Sequence, residues 1–320
     1  MPLIIIAKRI IAFSMLCLFI CFSSAAHAEY SMDYSAIQGC SVEATRICDF
    51  GPGVGPSHLW NIVSDYAGVT GSWQENNGVW GRTIGGGITS SLVISFAVLG
   101  HESAHAAVAN ELKASNVYLD WRPEKFWKGE VDPTWKRVLS SESVIEYASA
   151  GIAWQNRAVD STIAENLDSE LSLADMLWLG INQAGLPLYV MKSKKPESGK
   201  GYGSEKNDIE AWIAHTSGFE QAVMDRLYGD LAIGAGWQAI GTISSMYAGL
   251  RYLLTGKEYH MGGTCLNPQA SLTNVGVLYT LGVYHKLTDG VNLHMAPGYG
   301  KNRVADKDML SIALDLSYDF

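Results

Sequence analysis

Thiols are scarce in this chain, with five cysteines in 320 residues. None has C-x-x-C spacing, which argues against a thiolate zinc site. Cys17 and Cys21 fall in the first apolar stretch, and Cys40 and Cys48 could close a small loop in an oxidising compartment. Cys265 is left without an assigned partner. Basic charge is also short: 23 Lys and Arg stand against 32 Asp and Glu, with no basic stripe. That balance argues against nucleic acid as a partner. No GxGxxG or GK[ST] pattern accompanies Gly85-Gly86-Gly87, so a phosphate cradle is not expected there, and the triplet reads as a flexible joint.

What the chain does have begins with Lys8 and Arg9, an apolar run over Ile10–Phe22, and Ala26-His27-Ala28. This is the pattern of a secretory signal with an A-x-A cleavage site, and it predicts a mature protein from Glu29. The alternative, an uncleaved anchor, needs a longer apolar core. A lipoprotein reading at Cys21 is weakened by bulky Ile20. Glu29 to about Gly87 is rich in turn residues and reads as loops, with one short helix around Pro56–Gly68.

Ser91–Glu111 is an apolar, Pro-free run that predicts one helix, and it contains His101-Glu102-Ser103-Ala104-His105. Positions i and i+4 share a helix face, so both imidazoles can reach one ion while Glu102 points at water beside it. Two histidines and a carboxylate base at this spacing are the chemistry of a zinc-dependent hydrolase. Gly100, Ala104, Ala106 and Ala107 leave room for close helix packing. The plainer reading is two core histidines that only hydrogen-bond to their neighbours.

Downstream, Ser115–Trp121 alternates as a strand, and Phe126–Trp135 is expected to pair with it. A strand beside the motif helix could accept an extended peptide along its edge. Ser141–Leu167 reads as a helix whose small residues, Ala148 to Ala153, should pack on the motif helix. Its Arg157 and Asp160 read as a surface pair, and Asn156 as packing or capping. Ser172–Met191 is a helix interrupted by Pro187. Ser193–Asn207 is a long polar loop of the kind that forms lids. Asp208–Tyr228 and Leu231–Leu254 follow as helices. Several of these helices approach membrane-spanning length, but polar residues in mid-span favour buried helices of a compact domain.

A catalytic zinc usually takes three protein ligands. The short spacing H-E-x-x-H-x-x-G-x-x-H is absent, because Val108 and Glu111 occupy the last Gly and His positions. A later segment must supply the third ligand, with Glu146, Glu165, Asp208, Glu210 and His215 as candidates. Asp208 and Glu210 fall on opposite sides of a helix, so only one can aim inward well.

H-E-S-A-H on an apolar helix, then a hairpin, then a later acidic helix resembles the gluzincin-type and site-2-protease-like metallopeptidases over about Ser91–Tyr228. In membrane-associated gluzincins a ligand carboxylate opens an E-F-x-A-D motif on a later helix. Asp208-Ile209-Glu210-Ala211-Trp212 is similar, with Asp208 at the ligand position and Trp212 where the last acidic residue would stand. The L-D-G motif of the site-2 proteases is not found. The resemblance implies a mainly helical zincin-like core with Zn2+ held by His101, His105 and Asp208, and Glu210 as rival to the last. It also implies Glu102 as general base and a peptide or protein substrate; the chemistry further needs an oxyanion donor, for which His215 or a tyrosine could serve.

The C-terminal period is different. Val275–Val283, Val291–Met295 and Leu310–Phe320 alternate apolar with polar residues and predict antiparallel strands. The last of them, closing on an aromatic, resembles the final strand of bacterial outer-membrane barrels, though a barrel needs at least eight strands. The expectation is therefore an α+β chain in four parts: residues 1–28 a signal, 29–88 loops, 89–260 a helical metallopeptidase core and 270–320 strands. It is exported to the cell envelope and associated with a membrane. The competing reading is a non-enzymatic outer-membrane β protein in which the H-E-x-x-H is incidental.

Overall fold

Apolar helices with small residues at their crossings set the architecture. The computed structural model describes residues 78–121, 129–136, 138–193, 207–288 and 291–318. It is a mixture of helices and antiparallel sheet. The expected signal sequence, Cys40 and Cys48, the helix expected near Pro56, residues 122–128 between the two hairpin strands and most of the Ser193–Asn207 segment lie outside the described residues.

Helix α1 runs Gly78–Glu111, so the glycine triplet read as a joint lies inside it. Each helical glycine costs about 1 kcal/mol against alanine. Tertiary contact explains the exception at Gly86, where a Cβ would press on Leu253 at 2.9 Å and Leu173 at 3.1 Å. Among the described residues α1 alone is long and apolar enough to cross a membrane, by length and composition. Half of its most apolar stretch is buried by the other elements.

Strand β1 (Ser115–Trp121) pairs antiparallel with β2 (Gly129–Thr134) in a hairpin beside α1. Helix α2 (Ser141–Glu165) starts at a capping serine, Ser140, whose Oγ accepts from the Ser143 amide at 3.2 Å. After β3 (Glu170–Leu171), helix α3 (Leu173–Gln183) opens with a capping box between Ser172 and Asp175. Helix α4 (Gly185–Lys192) restarts the chain direction before Pro187, which sits in its first turn, where a missing N–H costs nothing.

Helix α5 (Asp208–Thr216) and helix α6 (Gln221–Thr255) replace the predicted helix over 208–228. The chain breaks at Ser217–Glu220, where Gly218 and Phe219 adopt φ of 61° and 65°. The Ser217 hydroxyl accepts from the Phe219 amide there at 3.1 Å, local bonding that competes with the helix. Helix α6 then runs 35 residues and stops at left-handed Gly256.

The remaining strands are β4 (Tyr259–His260), paired with β3, and a four-stranded sheet in the order β5 (Thr264–Leu272), β6 (Val277–Thr288), β7 (Val291–Asn302), β8 (Lys307–Tyr318). The predicted strands are thus joined by β5, which begins before the expected boundary at 270. Asn267, Pro268 and Gln269 hide β5 from an alternation rule. Pro268 is tolerated because β5 is an edge strand. Its outer backbone groups are covered by helices: the Ala270 amide donates to Gln238 Oε1 at 3.4 Å, and Asn156 Nδ2 donates to the Ala270 carbonyl at 3.0 Å. Cys265 is a free thiol on this strand, and burial pushes its pKa up to about 11.

Asp160 departs from the surface pair expected of it. It turns toward the sheet and accepts hydrogen bonds from Asn267 at 3.0 Å, Gln269 at 2.8 Å and the Tyr284 hydroxyl. Asn156 is buried beside it, holding the sheet edge. The main cores lie between the helices around Trp154, Trp178 and Trp212, each 0% exposed.

Candidate metal centre

The centre forms where α1 crosses α2 with little side chain between them. A Cβ on Gly100 would overlap the Trp154 ring, and a Cβ on Gly151 would overlap the His101 ring. These two glycines let the helices approach until the α1 imidazoles are enclosed. His101 is 3% exposed and His105 2%.

Their facing nitrogens meet Asp208 from the first turn of α5. His101 Nε2 is 3.1 Å from His105 Nε2 and 3.5 Å from Asp208 Oδ2, and His105 Nε2 is 3.2 Å from the same oxygen. A tetrahedral ion with bonds of about 2.0–2.2 Å needs ligand atoms about 3.3–3.6 Å apart. The three atoms come close to meeting that requirement, and they form a group able to hold a metal ion.

Neighbours orient the ligands. His105 Nδ1–H donates to the Tyr147 carbonyl at 2.8 Å, which turns Nε2 toward Asp208. The Tyr147 ring also packs on His105 and meets Trp135 edge-on, tying the end of the hairpin to the site. His101 lies over Gly151 and stacks on Tyr189 of α4 with 12° between the rings. The Tyr189 hydroxyl lies 2.9 Å from His101 Nε2, within hydrogen-bond reach. Asn207 caps α5 by accepting from the Glu210 amide at 3.1 Å, which fixes the turn that carries Asp208. Ser193 Oγ donates to Asn207 Oδ1 at 3.0 Å and clasps the two ends of the polar loop.

The electrostatics call for a cation. Burial opposes charge on His105, but the Asp208 carboxylate outweighs it, with help from Glu102, and raises the imidazole to about 9. Burial alone would raise Asp208, yet the His105 and His101 imidazoles hold its carboxyl well below the usual carboxylate range. A negative charge is thus fixed next to two imidazole nitrogens, an arrangement in which a metal ion can take the place of a proton. Burial also raises Tyr189, with Asp208 and Glu102 adding to the effect, so its hydroxyl keeps its proton. The Asp208 side chain is 24% exposed against 4% for His101, so the centre opens on the α5 side.

The candidates from sequence divide clearly. His101, His105 and Asp208 converge, and half-buried Glu102 is near enough for its charge to act on His105 and Tyr189. Glu210 instead turns back to its cap, with Asn207 Nδ2 reaching its Oε1 at 3.4 Å. His215, at the far end of α5, bonds Ser141 at 3.3 Å and packs on Phe219. Glu146 and Glu165 lie on α2 outside the group. Tyr189 and Gly151 were not singled out as site residues. Gly151 belonged to a recognised run of small residues, whereas Tyr189 carries no motif and is brought in only by the helix break at Ala184. No family model matches this chain, and no curated protein or solved structure matches it either.

Proposed function

We propose that this protein is a zinc-dependent hydrolase of peptide bonds in the bacterial cell envelope, built on a zincin-like helical core. The observation that carries this reading is the buried triangle of His101 Nε2, His105 Nε2 and Asp208 Oδ2, with sides of 3.1 to 3.5 Å, one residue from Glu102. Two imidazoles and one carboxylate suit zinc, and a zinc ion bound there would polarise a carbonyl and lower the pKa of water toward neutrality.

The chain's own groups supply the rest. Glu102 takes the proton of the attacking water and passes it to the leaving amine. The Tyr189 hydroxyl, held protonated, donates toward the oxygen that gains negative charge. The Tyr147 carbonyl holds His105 in the tautomer that presents Nε2. The β1–β2 hairpin is tied to the site through Trp135 and Tyr147 and offers strand backbone along which an extended peptide can align.

Metal analysis of the purified full chain tests the reading, with about one zinc per chain expected. Glu102→Gln should keep the zinc and lower hydrolysis of a peptide library by about 10²–10⁴. A protein without stoichiometric metal, or a variant that cleaves as fast as wild type, would sink the proposal.

A further inference from the structure

The polarity of α6 is inverted. Its inner side carries Gln238, 1% exposed, which donates to Asn156 Oδ1 at 3.2 Å and accepts from the Ala270 amide. Its outer side carries Ile233, Ile240, Ile243, Tyr247, Leu250 and Leu254, each 51–67% exposed. Their spacings of seven, three, four, three and four residues place them on one stripe, about 32 Å long at 1.5 Å per residue. No charged residue occurs between Asp230 and Arg251. The exposed Ser244 hydroxyl donates to the Ile240 carbonyl at 2.9 Å, and the phenol of Tyr247 is the other exposed hydroxyl of this stretch.

The sheet extends this surface. Gly234 of α6 rests on Ala270, Val277 and Tyr279, which defines the side of the sheet on which α6 lies. Register carries that side from Tyr279 to Tyr299 and on to Leu310. There Leu310, Ile312 and Leu314 are 82%, 78% and 70% exposed. Helix and edge strand therefore open apolar surface on the same side.

We propose that this surface, the outer stripe of α6 with the α6 side of β8, seats in the acyl layer of a lipid bilayer. Charge complementarity favours lipid. The uncharged stripe is bordered by exposed Arg226 at one end and by exposed Arg251 and Lys257 at the other, groups that match head groups. A protein partner or a second copy would require hydrogen-bonding groups at roughly one per 100–200 Å². This surface offers almost none, while amides and carboxylates are turned inward into Asn156, Asp160, Gln183, Gln238, Asn267 and Gln269. Hydrocarbon selects that distribution, because an unsatisfied polar group there costs several kcal/mol. The inference uses no residue of the metal centre and stands independently of the zinc reading.

The test is flotation of the full chain, purified in detergent and dialysed with vesicles of phosphatidylethanolamine and phosphatidylglycerol. Wild type should float, and a triple variant Ile240→Asp, Ile243→Asp, Leu250→Asp should lose at least about tenfold of the floated fraction while keeping its circular dichroism. A photoreactive amino acid at Ile243 or Ile312 of the otherwise unchanged chain should form adducts with lipid acyl chains, and the same group at Glu220 should not. This second measurement decides the matter if the triple variant fails to fold. Wild type that stays with the soluble fraction overturns the proposal, as does a folded triple variant that floats equally. Adducts at Ile243 to a second copy or to another protein, without lipid, overturn it too.

Discussion

Two partly buried aspartates mark two polar regions of this molecule, and they are shifted in opposite directions. Asp208 faces two imidazoles and is held well below the usual carboxylate range. Asp160 faces neutral donors, and burial raises it despite the hydrogen bonds from Tyr284, Asn267 and Gln269 and the nearby charge of His294. The lesson concerns capacity. Three donors converge on Oδ1 of Asp160, so this carboxyl serves to join α2 to the sheet. Asp208 meets imidazole nitrogens that need a proton or a metal between them, so its surroundings are completed by a cation.

Exchanging the carboxylates for amides should break the comparison most visibly. Asp208→Asn is expected to lose stoichiometric zinc and with it all measurable peptide hydrolysis, by metal analysis and a peptide assay. Asp160→Asn should keep both and instead lower stability by about 1–3 kcal/mol in urea unfolding, because an NH2 group then replaces Oδ2 and needs acceptors of its own. Equal effects of the two substitutions on zinc would erase the distinction.

Next in size is Tyr189→Phe. Losing a donor to the developing charge should lower kcat about 10²-fold while zinc and KM stay near wild type. A change in zinc content without a kcat effect would make Tyr189 a ligand-positioning residue only. Gly151→Ala changes no ligand residue, yet its Cβ would displace the His101 ring. Weakening of zinc affinity by about 10–100-fold is expected, read from competition with a chelator.

The smallest effect is on the pH dependence of stability. A carboxyl raised in the folded state binds more protons folded than unfolded between its ordinary value of 3.8 and its raised value. The stability Asp160 contributes is therefore complete below about 3.8 and is lost as pH rises through the folded pKa. Wild type should lose more stability than Asp160→Asn over that window. A wild-type advantage over Asp160→Asn that grows as the pH rises would contradict the raised carboxyl.

Much of the candidate site was legible because its signals are local. Helical spacing alone aligns His101 with His105, and the likeness of Asp208-Ile209-Glu210-Ala211-Trp212 to a ligand motif pointed to Asp208, with Glu210 as rival. The choice between those two was not local: the Asn207 cap draws Glu210 away, and the crossing of α1 with α2 brings the histidines under Asp208. The same holds for the fold. The hairpin strand β1 was readable from alternation, and the start of α2 from its sequence. The continuous helix expected over 208–228 failed because the turn at Gly218 and Phe219 is stabilised by its own hydroxyl and by tertiary packing. The glycines of α1 failed in the other sense, since a neighbour's side chains occupy the space that they leave.

The sequence by itself determined which residues can share a helix face, where caps and turns can form, and that an apolar helix carries two imidazoles and a carboxylate four residues deep. Periodicity and capping act over a few residues, so they can be read without a fold. Only the tertiary structure decided that Asp208 completes the group and that Tyr189 leans on it. It alone settled that Asp160 is spent on the sheet and that α6 turns its apolar side outward. Each of these depends on which distant surfaces meet, and burial and hydrogen-bond satisfaction are settled only at that point.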